Sequence, residues 1–196
     1  MDVSEKKEIA VISVVFFAFS LFFLAMSIIN GNYEYAYYNS ALLLGFVVLF
    51  AFYNQIHLKI PLLAGLTILA LLHLAGGNVS DNGIRLYQTS LYSIPYDKIV
   101  HVFGSFVVTL IAYNFIEKTL GREDRKKTLL VGFIILMIGV GAGAIVEIME
   151  FLATLMFRNT IVGDYTNNAG DLVANLVGSL AALVFSLHHF TKKKKA

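Results

Sequence analysis

Six long apolar stretches constrain this chain more than any other feature. They fall at about residues 9–29, 35–53, 60–75, 98–117, 128–157 and 171–190, and each holds few charges. A helix needs about 20 predominantly apolar residues to cross the hydrocarbon core of a bilayer. The sequence therefore predicts an all-α fold, a polytopic transmembrane bundle of six helices. Composition agrees, with 58% hydrophobic and 14% charged residues. A soluble domain holds about half apolar and about a quarter charged residues. The third stretch is the shortest, opening at Pro61 and closing before Gly76 and Gly77. The stretches follow one another too closely for a separate soluble domain, so residues 1–196 read as one integral membrane domain. The first run is too long for the core of a signal peptide and lacks a small-x-small cleavage site, so it reads as a retained helix. Cysteine is absent, which excludes disulfides and thiol chemistry.

The basic residues give the orientation. With six spans, one side receives Lys6, Lys7, Lys59, Lys118, Arg122, Arg125, Lys126, Lys127 and Lys192 to Lys195, twelve of the fifteen basic residues. The other side receives Arg85, Lys98 and Arg158. Cytoplasmic loops carry the excess of Lys and Arg, so both termini are expected in the cytoplasm, with the chain in the cell membrane. Trp is absent, and Tyr33, Tyr35, Tyr37, Tyr38, Tyr87, Tyr92, Tyr96 and Tyr165 take its place as an outer interfacial belt. The terminal lysines read as a solvated tail on anionic lipid. The partner these features imply is the lipid bilayer; nothing points to nucleic acid.

Residues 76–96 form the longest outer segment, "GGNVSDNGIRLYQTSLYSIPY". A structureless connection of that length is uncommon and often functional. It is expected to fold back as a hairpin or an interfacial helix, lid-like over the outer face.

Polar residues converge on the same outer half. Asp97 and His101 stand four apart at the head of the fourth span, and so share a helix face. Glu147 and Glu150 share a face at spacing three in the fifth. Asp171, Asn175 and Gly178 line one stripe of the sixth. His73 ends the third, and the loop before the sixth adds Asp164, Asn167 and Asn168. An ionised group deep in the bilayer is costly and faces a cavity or a partner. Gly139 and Gly143, and Ala174, Gly178 and Ala182, make small-xxx-small faces that let the fifth and sixth spans approach closely. The inner half of the bundle reads as dry.

Two chemistries suit this set. His101, Glu147 and Asp171 supply the mixed nitrogen and oxygen donors that a divalent metal accepts. A metal-bound water, with a glutamate as general base, would then attack a lipid or cell-envelope substrate. In that enzyme reading the catalytic residues are His101, Glu147, Asp97 and Asp171, supported by Glu150, Asp164, Asn175 and His73. Buried Asp, Glu and His also make ion and proton sites in transporters, and the dry inner half speaks against a through-path. A third reading is a non-catalytic network that fixes helix register or binds a headgroup. No H-E-x-x-H or G-x-S-x-G motif decides among them.

The stretches "LLHLAGG", "YDKIVHVFGSF", "EIMEF" and "GDYTNNAGDLVANLVGSL" resemble the YjdF-like group of multi-pass membrane proteins, and more distantly VanZ-like proteins, which are associated with glycopeptide resistance. The resemblance covers roughly residues 70–185 and implies a membrane fold without an assigned reaction. Its pattern falls on His73, Asp97, His101, Glu147, Glu150, Asp164, Asp171 and Asn175. Glu150 stands where a VanZ-like protein is expected to carry Gln.

Overall fold

The computed structural model describes residues 3–56, 58–119 and 128–193. His57, Arg122, Arg125, Lys126, Lys127, Lys194 and Lys195 lie outside the described residues, as do the side chains of Lys118, His188, His189, Lys192 and Lys193. The elements in chain order are α1 (Val3–Ile29), α2 (Tyr33–Ala51), the single turn α3 (Tyr53–Ile56), α4 (Ile60–Asn78), β1 (Ser80–Asp81), β2 (Ile84–Arg85), β3 (Ser90–Leu91), β4 (Ile94–Pro95), α5 (Tyr96–Thr119), α6 (Thr128–Met156) and α7 (Tyr165–Lys193). A 3-10 turn, Leu86–Gln88, joins the two strand pairs. Six helices among the described residues, α1, α2, α4, α5, α6 and α7, are long and apolar enough to cross a membrane. The protein is therefore an all-α polytopic membrane protein.

The chain divides into two compact units. The first comprises Met1–Val100 and Met149–Val162, the second His101–Ile148 and Gly163–Ala196.

In the first unit, α1 packs on α2 and α4. Gly31 ends α1 in the left-handed region, with φ +66°. The Asn32 amide bonds Ser27 O at 2.7 Å and the Gly31 amide bonds Ile28 O at 3.2 Å. This pair of bonds satisfies carbonyls that a helix end leaves open. Phe16, fully buried, stacks on Phe46 with centroids 3.5 Å apart. Polar links also tie the helices of this unit. Asn39 Nδ2 donates to Ser20 O at 2.7 Å, Ser27 Oγ to Asn78 Oδ1 at 2.7 Å, and Asn32 Nδ2 to Gly77 O at 3.1 Å.

Pro61 stands in the first turn of α4, where its missing N–H costs nothing. That helix does not stop before Gly76 as the sequence suggests; it runs on to Asn78. The glycine pair is a packing surface here. A Cβ on Gly77 would strike the ring of Tyr35, and one on Gly76 the ring of Tyr87.

The segment after α4 is two successive antiparallel hairpins, pairing Ser80 with Arg85 and Asp81 with Ile84, then Ser90 with Pro95 and Leu91 with Ile94. Both turn on two residues of positive φ, Asn82 and Gly83 in one, Tyr92 and Ser93 in the other. Matching backbone bonds close them: the Leu86 amide to Val79 O and the Tyr96 amide to Thr89 O, each 3.0 Å. The segment is thus a tandem repeat of one small motif.

The second unit contains α5 from His101, α6 as far as Ile148, and α7. Helix α7 begins at Tyr165 rather than at about residue 171. Asp164 caps it, accepting the Asn167 amide at 2.9 Å, which satisfies one of the open donors of the first turn.

Candidate metal centre

Three helices of the second unit each bring one side chain to a common point. His101 comes from the first half of α5, Glu147 from α6 and Asp171 from α7. They are 8%, 5% and 1% exposed. Each offers one donor atom, and the three donors all lie within 4.8 Å of one another. The imidazole stands between the acids: His101 Nδ1 is 3.5 Å from Glu147 Oε1, and His101 Nε2 is 3.4 Å from Asp171 Oδ1. Asn175, one turn along α7 from Asp171, places Oδ1 3.3 Å from His101 Nδ1.

The acids are held from behind. Asn168 Nδ2 donates to Glu147 Oε2 at 2.7 Å, and Asn167 Nδ2 donates to Asp171 Oδ2 at 2.9 Å. Each carboxylate thus spends one oxygen on an amide and aims the other at the imidazole. Taking two acids out of water costs several kcal/mol each, and these charge-assisted bonds recover part of it.

Small residues permit the approach. Gly143 of α6 lies against Asn175, and a Cβ there would stand 2.8 Å from the Asn175 Cβ and overlap its amide. Gly178 of α7 faces α5, at Ser105 Oγ and Val102 O. So Gly143 serves the expected α6–α7 contact, whereas Gly178 serves α5 instead.

The other candidates have partners of their own. Asp97 belongs to the first unit, where its carboxylate accepts from the Lys98 amide at 2.7 Å and from Lys98 Nζ at 3.1 Å. His73, also in the first unit, has Nδ1 2.8 Å from Tyr87 Oη and packs among the rings of Tyr35 and Tyr38. Glu150 lies in the first unit within electrostatic reach of the same two tyrosines. Asp164 is exposed and caps α7.

The sequence reading left Glu34 unmarked. This acid of α2 is 2% exposed, accepts the Ile161 amide at 3.0 Å and Tyr38 Oη at 3.4 Å, and stands 3.9 Å from Arg85 Nη1. It lies among interfacial tyrosines, where an acid looks solvated. Nor is the second unit dry beyond its centre. Ser105, Thr109, Asn114, Asn175, Ser179 and Ser186 are all buried. The signal was present as four-residue spacing, His101–Ser105–Thr109 on α5 and Asp171–Asn175–Ser179 on α7. Small hydroxyls are common in membrane helices and do not stand out singly.

Fold and centre together define a multi-pass α-helical membrane protein with a buried histidine–carboxylate cluster. The chain belongs to the DUF2238 family of predicted membrane proteins, whose model matches residues 11–192. No curated protein and no solved structure matches it.

Proposed function

We propose that this is a cation-binding membrane protein whose centre, His101, Glu147 and Asp171, holds one divalent transition metal. The observation that carries this reading is that one imidazole nitrogen and two carboxylate oxygens, buried and brought by three helices, lie within 4.8 Å of one another. The imidazole nitrogens stand 3.4 and 3.5 Å from the acids, longer than the about 2.7–2.9 Å of an ion-paired hydrogen bond, and one of the two nitrogens can face an ion. One nitrogen and two carboxylates suit zinc, manganese or iron in the divalent state. A metal would also relieve the repulsion between the two acids. The asparagine amides behind the carboxylates match the outer hydrogen bonds that orient metal ligands.

Burial favours an ion over a lipid or envelope substrate as what the centre binds, because the three donors present little surface to a bulky reactant. The basic-residue asymmetry supports cytoplasmic termini, which turns the centre toward the outer leaflet of the cell membrane. One geometric fact supports a second reading: the acids address opposite ring nitrogens. An imidazolium donating to both would make the same residues a proton-sharing network.

Elemental analysis of the purified protein separates the two. The metal reading expects about one metal per chain in wild type and loss of it in His101→Ala and in Glu147→Gln. A metal-free wild type that zinc, manganese and iron(II) fail to stabilise against heat would leave the proton-sharing network in its place.

A further inference from the structure

Beyond the centre, the three helices of the second unit keep a common register. Steps of four residues lead along α5 through His101, Ser105 and Thr109, along α7 through Asp171, Asn175 and Ser179, and back along α6 through Glu147, Gly143 and Gly139. Each step advances about 6 Å. At the first, Gly143 meets Asn175. At the second, Thr109 and Ser179 converge on Gly139: a Cβ there would overlap Thr109 Oγ1 and stand 2.6 Å from Ser179 Oγ.

The hydroxyls at this second step are unusual. A serine or threonine inside a helix ordinarily bonds the carbonyl one turn back. Ser105 does so to His101 O at 2.8 Å, and Ser186 to Ala182 O at 2.8 Å. Thr109 and Ser179 are both 0% exposed, yet among the described residues their hydroxyl oxygens have no hydrogen-bond partner. Asn175 Nδ2 has none either, nor does either amide atom of Asn114, which lies further along α5 and is 1% exposed. A buried polar group left unsatisfied costs about 1–3 kcal/mol. Several in one unit, two of them aimed at the same bare glycine, are explained by a ligand that they satisfy. The set consists of hydroxyl and amide groups without a formal charge. The hydroxyl and amide oxygens suit a cation that keeps part of its hydration shell, and the amide N–H groups can donate to its water.

We infer that Thr109 and Ser179, beside Gly139, form a second and neutral station for a hydrated cation, and that the second unit is a cation pathway running from the acidic centre toward the C-terminal end of α5. The inference rests on the metal-centre reading and gives that centre its purpose, translocation. Conduction needs a site that attracts the ion and a weaker one that lets it leave. The acids supply the first and the hydroxyls the second.

The test uses the full chain in liposomes loaded with a metal-sensitive dye, with manganese or zinc added outside. Metal content is measured on the same preparations. Wild type is expected to admit metal about tenfold faster than protein-free vesicles. The paired substitution Thr109→Val with Ser179→Ala keeps volume and removes both hydroxyls. It should retain the bound metal and lose the flux. Thr109→Ser, which keeps a hydroxyl, should retain both, and serves as the folding control. Gly139→Ala, whose methyl group would overlap Thr109 Oγ1 and crowd Ser179 Oγ and so displace both hydroxyls, should lose the flux as well. Wild type that binds metal but admits it no faster than bare vesicles overturns the pathway and leaves the centre standing. Undiminished flux in the paired variant overturns the pathway too. Wild type that neither binds nor admits metal overturns the centre and the pathway with it.

Discussion

At the scale of the residue, the centre depends on side chains that would not touch a bound ion. Asn168 fixes Glu147 through one oxygen, so that the other faces His101. Removing such an outer partner typically costs about 10–100-fold in metal affinity. Asn168→Ala is therefore expected to weaken metal binding by that factor in a chelator competition, with little change in melting temperature because the residue is only half-buried. Asp164→Ala should do the reverse. Its carboxylate caps α7, and loss of a cap costs about 1 kcal/mol. Thermal unfolding should record that loss while affinity stays close to wild type. Equal effects of the two substitutions on affinity would mean that the Asn168 bond does not orient the centre. His101, Glu147 and Asp171 were legible in the sequence because depth and helical spacing single them out. The pairing of Asp97 with Lys98 and the tyrosines near Glu150 were not. Shared faces at spacings of four and three bring residues near in one helix, but the partners on other helices decide which ones meet.

At the scale of the element, turn chemistry explains one hairpin and not its twin. The Asn82–Gly83 pair suits a turn with positive φ at both positions, and it was readable as a turn. Tyr92 and Ser93 adopt the same region, with φ 49° and 68°, though neither residue favours it. The matching bonds at Leu86 and Tyr96 show that the hairpin is set by its closing strands, which no local preference reveals. Residues other than glycine lose about 1–2 kcal/mol in the left-handed region. Ser93→Gly should therefore raise stability by about 1 kcal/mol, seen as a higher melting temperature. An unchanged or lower value would show that the serine is unstrained there. Glycines that pack rather than turn carry the opposite expectation. Gly143→Ala drives a methyl group into Asn175, and overpacking of this kind costs about 1–3 kcal/mol. The pair Gly76 and Gly77 taught the same lesson from the other side. Glycine is the usual helix terminator, yet here Tyr35 and Tyr87 press on the bare backbone and the helix continues.

At the scale of the whole molecule, six crossings would place both termini on one side of the membrane, and every segment's expected side follows by counting. The absence of cysteine makes this directly measurable, because any introduced thiol is the sole one. Tyr92, 93% exposed at the tip of the second hairpin, lies between the third and fourth spans and is expected outside. Ser4, exposed at the start of α1, is expected inside. An impermeant maleimide added to intact cells should label Tyr92→Cys and spare Ser4→Cys until the membrane is opened. The basis is the excess of Lys and Arg on the side of the termini, a bias that sets orientation through the short loops flanking the spans. The reverse pattern would put the basic side outside and turn the centre toward the cytoplasm. A cation would then meet His101, Glu147 and Asp171 from within the cell, and the pathway would read as an exit. Labelling of both thiols in intact cells would mean an even number of crossings between them, so that one of the first three apolar helices does not cross and five crossings remain. That would remove the charge asymmetry, and one of the six apolar helices would have to lie outside the bilayer.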